Sequence, residues 1–354
     1  MNKLLTIAKN TFIETLRQPI YSIIIIAALL LFFISPSIAM YTMDDDNKLL
    51  REIGLSTLFL TSLFISIFSA SGAVAKELEN KTIMTVLTKP VQRPVFIIAK
   101  FLGVAFAVIL AHYICTIAML MVIRHGVLET VNDPHDWTVI STAGVIVVAV
   151  FLLSAFFNYA YDWKFSSTAI VLTAIFATLG IIFLAFIDIN WQFNPKENDI
   201  SVVDIYGSVL LLLAGVVIVA LAVAFSSRFN IVVTLSACIG IFLLGLVSDY
   251  AFGRLKGYEV KNLQTGQYEF FKVNDLPKDG DKYDLGNKVP QRYLWGKVGR
   301  FLVPNLQIFW ISDAIYEGSQ VPAKYILITS TYALCYTTAI LALAIAVFQR
   351  RQVG

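Results

Sequence analysis

Eight apolar runs constrain this chain more than anything else in it. They are Ile20–Thr42, Leu55–Ala75, Val95–Ile123, Val139–Tyr161, Thr168–Ile187, Ile205–Ser226, Phe229–Ser248 and Tyr325–Phe348. Each is near the roughly 20 residues that a helix needs to cross the hydrocarbon of a bilayer. In lipid every backbone N–H and C=O must be satisfied internally, which leaves helices or closed barrels, and continuous runs of this length read as helices. Composition agrees: 58% of the 354 residues are hydrophobic and 14% are charged, against roughly a quarter charged in a soluble domain. Mean hydropathy is +0.75. The expected fold is therefore an all-α polytopic membrane protein of about eight transmembrane helices, within a range of six to eight. The fifth run is the least clean and is compatible with a re-entrant segment. Ser227 and Arg228 alone separate the sixth and seventh, which predicts a tight hairpin.

Before the first run, Met1–Pro19 has the pattern of an amphipathic surface helix. Leu4, Leu5, Ala8, Phe12, Ile13 and Leu16 share one face, and Lys3, Asn10, Glu14 and Arg17 the other. The first run begins near Ile20 and is too long for a signal-peptide core. The cations set the orientation. With the N-terminus cytoplasmic, that side holds Lys3, Lys9, Arg17, Lys76, Lys81, Lys89, Arg93, Lys100, Lys164, Arg228, Arg350 and Arg351, while the short loops opposite hold only Lys48, Arg51, Arg124 and Lys196. Both termini are expected in the cytoplasm. The acidic patches Asp44–Asp46, Asp133–Asp136 and Glu197–Asp204 then face outward and read as solvated loops.

The expected organisation is a surface helix at 1–19, a transmembrane domain at 20–249, an extracytoplasmic loop domain at 250–323, and a last span with cytoplasmic tail at 324–354. In the loop, Tyr258–Asn262 and Gln267–Val273 alternate around Thr265-Gly266, which predicts a β-hairpin. Asp279, Asp281 and Asp284 lack the spacing and distal Glu of a calcium loop. Tyr293–Ile315 is aromatic and broken by Gly296, Gly299 and Pro304, and reads as one or two helices at the outer interface.

Catalytic and cofactor motifs are absent. The sequence has no G-x-x-x-x-G-K-[ST], no H-E-x-x-H and no G-x-S-x-G. The three histidines are scattered without metal-ligand spacing, and the three cysteines lie inside apolar runs as small hydrophobes. No catalytic, cofactor-binding or metal site is expected, and the net charge of +3 does not imply nucleic acid. His112 lies within the third span. An ionisable residue at that depth is a candidate for the translocation path; the alternative is a neutral imidazole bonded across a helix contact.

One inter-span segment stands apart. Lys76–Gly103 reads KELENKTIMTVLTKPVQRPVFIIAKFLG. Glu77 and Lys81 are one helical turn apart, and Ile83, Met84 and Leu87 make a short apolar face. Pro90 stops the helix and Pro94 suits the first turn of the next. An apolar face on a projecting charged segment calls for a partner. This stretch resembles the coupling helix of type-2 (ABC-2) permeases of ATP-binding cassette exporters. The resemblance is carried by Glu79-Asn-Lys-Thr82, Leu87, Pro90, Arg93 and Lys100-Phe-Leu-Gly103, and by Arg17-Gln-Pro19 at the end of the surface helix. Within that class the nearest likeness is to the nitrous-oxide-reductase maturation exporters, without their substrate. The family plan has six spans, so Thr168–Ser226 stands as an added pair.

The resemblance implies a non-catalytic permease subunit in the inner membrane that pairs as a homodimer or heterodimer. It works with a separate ATPase subunit, which alone carries ATP. Glu79, Thr82, Met84, Leu87, Pro90, Val91 and Arg93 would face that ATPase. The competing readings are an ATP-independent channel or secondary transporter, which buried polar rows along several spans would favour, and a membrane anchor for the outer loop.

Overall fold

The structure is a computed structural model that describes residues 2–40, 46–75, 92–127, 135–195, 201–253, 256–272, 276–277, 282–286, 289–292, 298–299, 301–312, 314 and 321–349. They divide into two compact units, residues 1–236 with 309–354, and residues 237–308.

The first unit is helical. It comprises α1 (Asn2–Leu16), α2 (Pro19–Ala39), α3 (Asp46–Ala70), α4 (Arg93–His125), α5 (Trp137–Tyr161), α6 (Phe165–Phe186), α7 (Val202–Ser226) and α10 (Ala323–Gln349). Helix α3 runs on into a single π-helical turn, Ser71–Ala75. The boundaries follow local chemistry. Extended Gln18 and Gln92 precede helices with proline in the first turn. Asp136 caps α5 by accepting from the N–H groups of Thr138 and Val139, and Ser201 caps α7 through Val203 N–H. Gly126 ends α4 at φ +70°, where its N–H bonds the Val122 carbonyl.

Seven of these helices are long and apolar enough to cross a membrane. The fifth run forms one of them, a continuous helix of 22 residues. The seventh run falls short of the expected Phe229–Ser248. It forms α8 (Ile231–Leu246), of 16 residues, followed by the short helix α9 (Ser248–Gly253). The cause lies at Gly245. Its carbonyl accepts from Leu306 N–H at 3.1 Å. A Cβ at Gly245 would sit 2.8 Å from the Pro304 carbonyl oxygen, so only glycine admits that approach.

Three helices make the core. Helix α3 is the most buried of the long apolar helices, followed by α4 and α7. Small residues let them close. A Cβ on Gly54 of α3 would meet Met119 Cγ of α4 at 2.8 Å, and a Cβ on Gly215 of α7 would meet Ser62 Cβ of α3 at 3.1 Å. The first contact pairs the start of α3 with the end of α4, so these two are antiparallel. Arg51 at the start of α3 pairs with Asp204 at the start of α7 at 3.4 Å, so α3 and α7 are parallel. Helix α10 returns its last carbonyl to the start of α4, where Arg93 Nη1 donates to Gln349 O at 2.7 Å. Phe96 and Phe348, both fully buried, stack beside that bond at 5.9 Å. Helix α10 thus ends at the same end of the bundle where α4 begins. Helices α5 and α6 form a peripheral hairpin. Leu184 and Ala177 pack with Val139, Ile117 and Met121, while most of α5 is left uncovered.

Helix α1 packs on α4. Ala8, Thr11, Thr15 and Leu16 are buried, while Leu5, Lys9 and Glu14 are exposed. The inward face is therefore rotated from the one that hydrophobicity alone selects, because the partner surface is a glycine. A Cβ on Gly103 would sit 2.6 Å from Thr11 Cβ and 2.7 Å from the Ala8 carbonyl oxygen. Small residues close this crossing.

The second unit contains the expected hairpin, β1 (Lys256–Lys261) against β2 (Tyr268–Lys272) with Tyr258 opposite Phe271. Gly266 turns it at φ +72°, and its N–H reaches Asn262 O at 2.8 Å. A third strand, β3 (Val289–Arg292), adds to β1 and gives the order β2-β1-β3. Pro290 hides it from a reading by pattern, yet proline is tolerated on an edge strand. Of Tyr293–Ile315, the described residues hold one 3₁₀ turn at Gln307–Phe309 and no long helix.

The α1–α4 crossing makes a direct prediction. Gly103→Leu should lower stability by about 2 kcal/mol, a typical overpacking cost, read as a lower unfolding temperature in detergent. Gly144→Leu, inside α5, has nothing within 4 Å of its added Cβ and should not lower that temperature.

Candidate functional site

Two buried polar clusters and the flanks of the expected coupling segment are the candidate functional features among the described residues. The first cluster surrounds His112, where α3, α4 and α7 meet. Its Nδ1 lies 2.9 Å from Ser62 Oγ, and its Nε2 lies 2.9 Å from Ser208 O and 3.0 Å from Ser208 Oγ. A carbonyl only accepts, so Nε2 carries the proton and Nδ1 accepts from the Ser62 hydroxyl. Thr116 Oγ1 donates to the His112 carbonyl at 2.8 Å. Its one proton is then used, so Ser208 Oγ donates to Thr116 Oγ1 across 2.6 Å. Every hydrogen is placed without a charge. The imidazole is neutral, with both ring nitrogens engaged, and 3% exposed. Composition did not reveal the partners, because serine and threonine announce nothing until the helix faces are known.

Helix α3 carries a row of buried hydroxyls at Thr57, Thr61, Ser62, Ser66 and Ser69. Thr57 donates to Ile53 O at 2.7 Å and Ser66 to Ser62 O, so these two are satisfied by their own helix.

The second cluster joins the end of α4 to the start of α5 and the end of α6. Arg124 and Asp136 are 8% and 4% exposed. Arg124 Nε donates to Asp136 Oδ2 at 3.2 Å, and Nη2 to Thr138 Oγ1 at 3.2 Å and to Ile187 O at 2.6 Å. Nη1 bonds the Leu184 carbonyl. Asp136 Oδ1 accepts from Thr138 N at 3.0 Å and Val139 N at 3.1 Å. The arginine thus caps α6 while its partner caps α5. Asp136 was expected in a solvated acidic patch; it is buried because its carboxylate is fully bonded. The D-x-T before an apolar run is the N-cap signal that gives it away. Asp188 is likewise buried, its Oδ1 accepting from Asn190 N and Gln192 N, both at 2.9 Å.

The third feature is the expected coupling segment. Glu79, Thr82, Met84, Leu87, Pro90 and Val91 lie outside the described residues. Its flanks are described. On one side α3 ends in the π-turn Ser71–Ala75, where Gly72 lies against the side chain of Gln18; a Cβ there would be 2.7 Å from Nε2. Gln18 belongs to the Arg17-Gln-Pro19 corner between α1 and α2. On the other side Arg93 is fixed to the end of α10, a cation on the negative end of a helix. Lys100 is 3% exposed, and its Nζ lies 5.7 Å from the Phe96 ring centroid. Gly103 takes α1. Among the described residues no group of three or more His, Cys, Asp or Glu is placed to hold a metal ion.

Residues 15–180 match the family model described as ABC-2 family transporter protein. This is a little under half of the chain, and it contains the expected coupling segment with both its flanks, as well as Gly103 and His112. No curated protein matches the chain.

Removing the Arg124 guanidinium leaves the Asp136 carboxylate buried and unpaired, which costs about 3–5 kcal/mol. Arg124→Gln should therefore unfold at a markedly lower temperature in detergent. His112→Leu takes from the Ser62 hydroxyl the ring nitrogen it bonds and should cost about 1–3 kcal/mol. His112→Gln, which accepts and donates, should recover part of that loss.

Proposed function

We propose, from the premise that this is the permease subunit of an ABC-2 family transporter, that it couples ATP hydrolysis on a separate ATPase subunit to export of a substrate across the inner membrane. The observation that carries the reading is the family match across residues 76–94, together with the bracing of both ends of that segment. A segment that transmits force needs fixed ends. Gln18 meets the π-turn on one side, and the Arg93–Gln349 bond with the Phe96–Phe348 stack holds the other. Met84, Leu87 and Val91 are the apolar anchors in a cleft of the ATPase, and Glu79, Thr82 and Pro90 set register and bend. Arg93 belongs to the same surface through its place at the corner. Closure of the ATPases moves the segment as a lever, and α3 and α4 shift between two packings. His112 acts here as a neutral link among α3, α4 and α7 at the level where those packings differ. Two permeases pair, each above one ATPase, with both termini cytoplasmic.

The rival channel or secondary-transporter reading finds its support in the hydroxyl row on α3. Thr57 and Ser66 of that row bond back to their own helix, which favours a structural role for them.

The test is a double substitution in the full chain. Met84→Asp with Leu87→Asp should release the ATPase from detergent-solubilised complex and abolish substrate-dependent transport, with the unfolding temperature of the permease unchanged. Retention of a stoichiometric ATPase would remove the coupling role from this segment.

A further inference from the structure

Helices α1 and α4, which touch at Gly103, together line an open groove of about 540 Å³. One wall is Leu5, Ala8, Lys9 and Phe12; the other is Phe106, Ile109, Leu110 and Tyr113. Leu5 is 57% exposed and Phe106 55%. Tyr113 in this lining bonds Thr178 Oγ1 of α6 through its hydroxyl at 2.7 Å.

We infer that this groove is a binding site for one acidic phospholipid of the surrounding leaflet, with its acyl chain along α4 and its headgroup on Lys9. This site is independent of the coupling reading. Helix α1, of 15 residues, is about 22 Å long, too short to cross a bilayer, and its polar face is that of a helix at the headgroup level. Lys9 lies exposed on that helix at the rim of the groove. From Phe106 to Tyr113 the apolar wall continues for about 10 Å along a spanning helix, away from the end where α4 begins. A cation at headgroup level above an apolar slot that descends beside a span matches a molecule with an anionic head and a hydrocarbon tail. Apart from Lys9 and the tied Tyr113 hydroxyl, the lining offers no polar side chain, so a polar substrate has nothing to bind.

The test is native mass spectrometry of the full chain in detergent, titrated with phosphatidylglycerol or phosphatidylcholine of identical acyl chains. The wild type should bind the former about fivefold better, the factor given by about 1 kcal/mol per lysine near an anionic surface. Lys9→Gln should bind the two equally, and Lys3→Gln should keep the preference. Ile109→Trp should reduce binding of both lipids. Leu5→Trp, on the exposed opposite wall, makes the same test if that variant fails to fold. Equal binding by the wild type, a preference that survives Lys9→Gln, or undiminished binding in the filled groove would overturn the assignment. So would disulfide-linked dimers of Lys9→Cys in membranes, which would make the groove a contact between copies.

Discussion

A polar side chain in the core of a bilayer finds no water, and a charged one is costlier still. The centre of this protein answers with a circuit that is closed and neutral. His112, Ser62, Ser208 and Thr116 satisfy one another across three helices with no net charge. The circuit depends on close approach, and close approach depends on small residues. Gly215 lets α7 reach Ser62, and Gly54 lets α3 accept Met119. Directional bonds then fix which face of each helix points inward, something that lipid-like apolar surfaces do poorly by themselves.

Among the described residues, several charged side chains fasten helix termini. Arg124 and Asp136 tie three helix ends, Arg51 and Asp204 join two starts, and Arg93 holds the last carbonyl of α10. By the reading proposed above, an ATPase partner would act on the segment between the π-turn and Arg93.

Much of the fold was legible because the bilayer imposes a simple length rule. Seven runs became helices of spanning length, and the hairpin followed from alternation around Thr265-Gly266. The failures share a cause. Phe229–Ser248 satisfied the hydropathy rule but is interrupted, because Leu306, sixty-one positions after Gly245, takes a carbonyl from the helix. Asp136 looked like a surface charge because Arg124, its partner, lies across a loop. Helix α1 turned a different face inward because glycine rather than a large hydrophobe receives it. Each depends on what a residue meets in space. The candidate site divides the same way. His112 was marked by its depth in an apolar run, whereas its partners were hidden among ordinary hydroxyls. The coupling residues rest on their likeness to a family motif.

The central claim is that this chain is one half of an ATP-driven machine whose ATPase is a separate protein. The most direct measurement is to isolate the untouched chain from its native membrane in mild detergent, identify what comes with it in stoichiometric amount, and assay ATP hydrolysis. The account predicts an ATPase subunit with a P-loop at one copy per permease, with activity that follows the complex through a sizing column. A chain that elutes with lipid alone and no associated hydrolysis would contradict it.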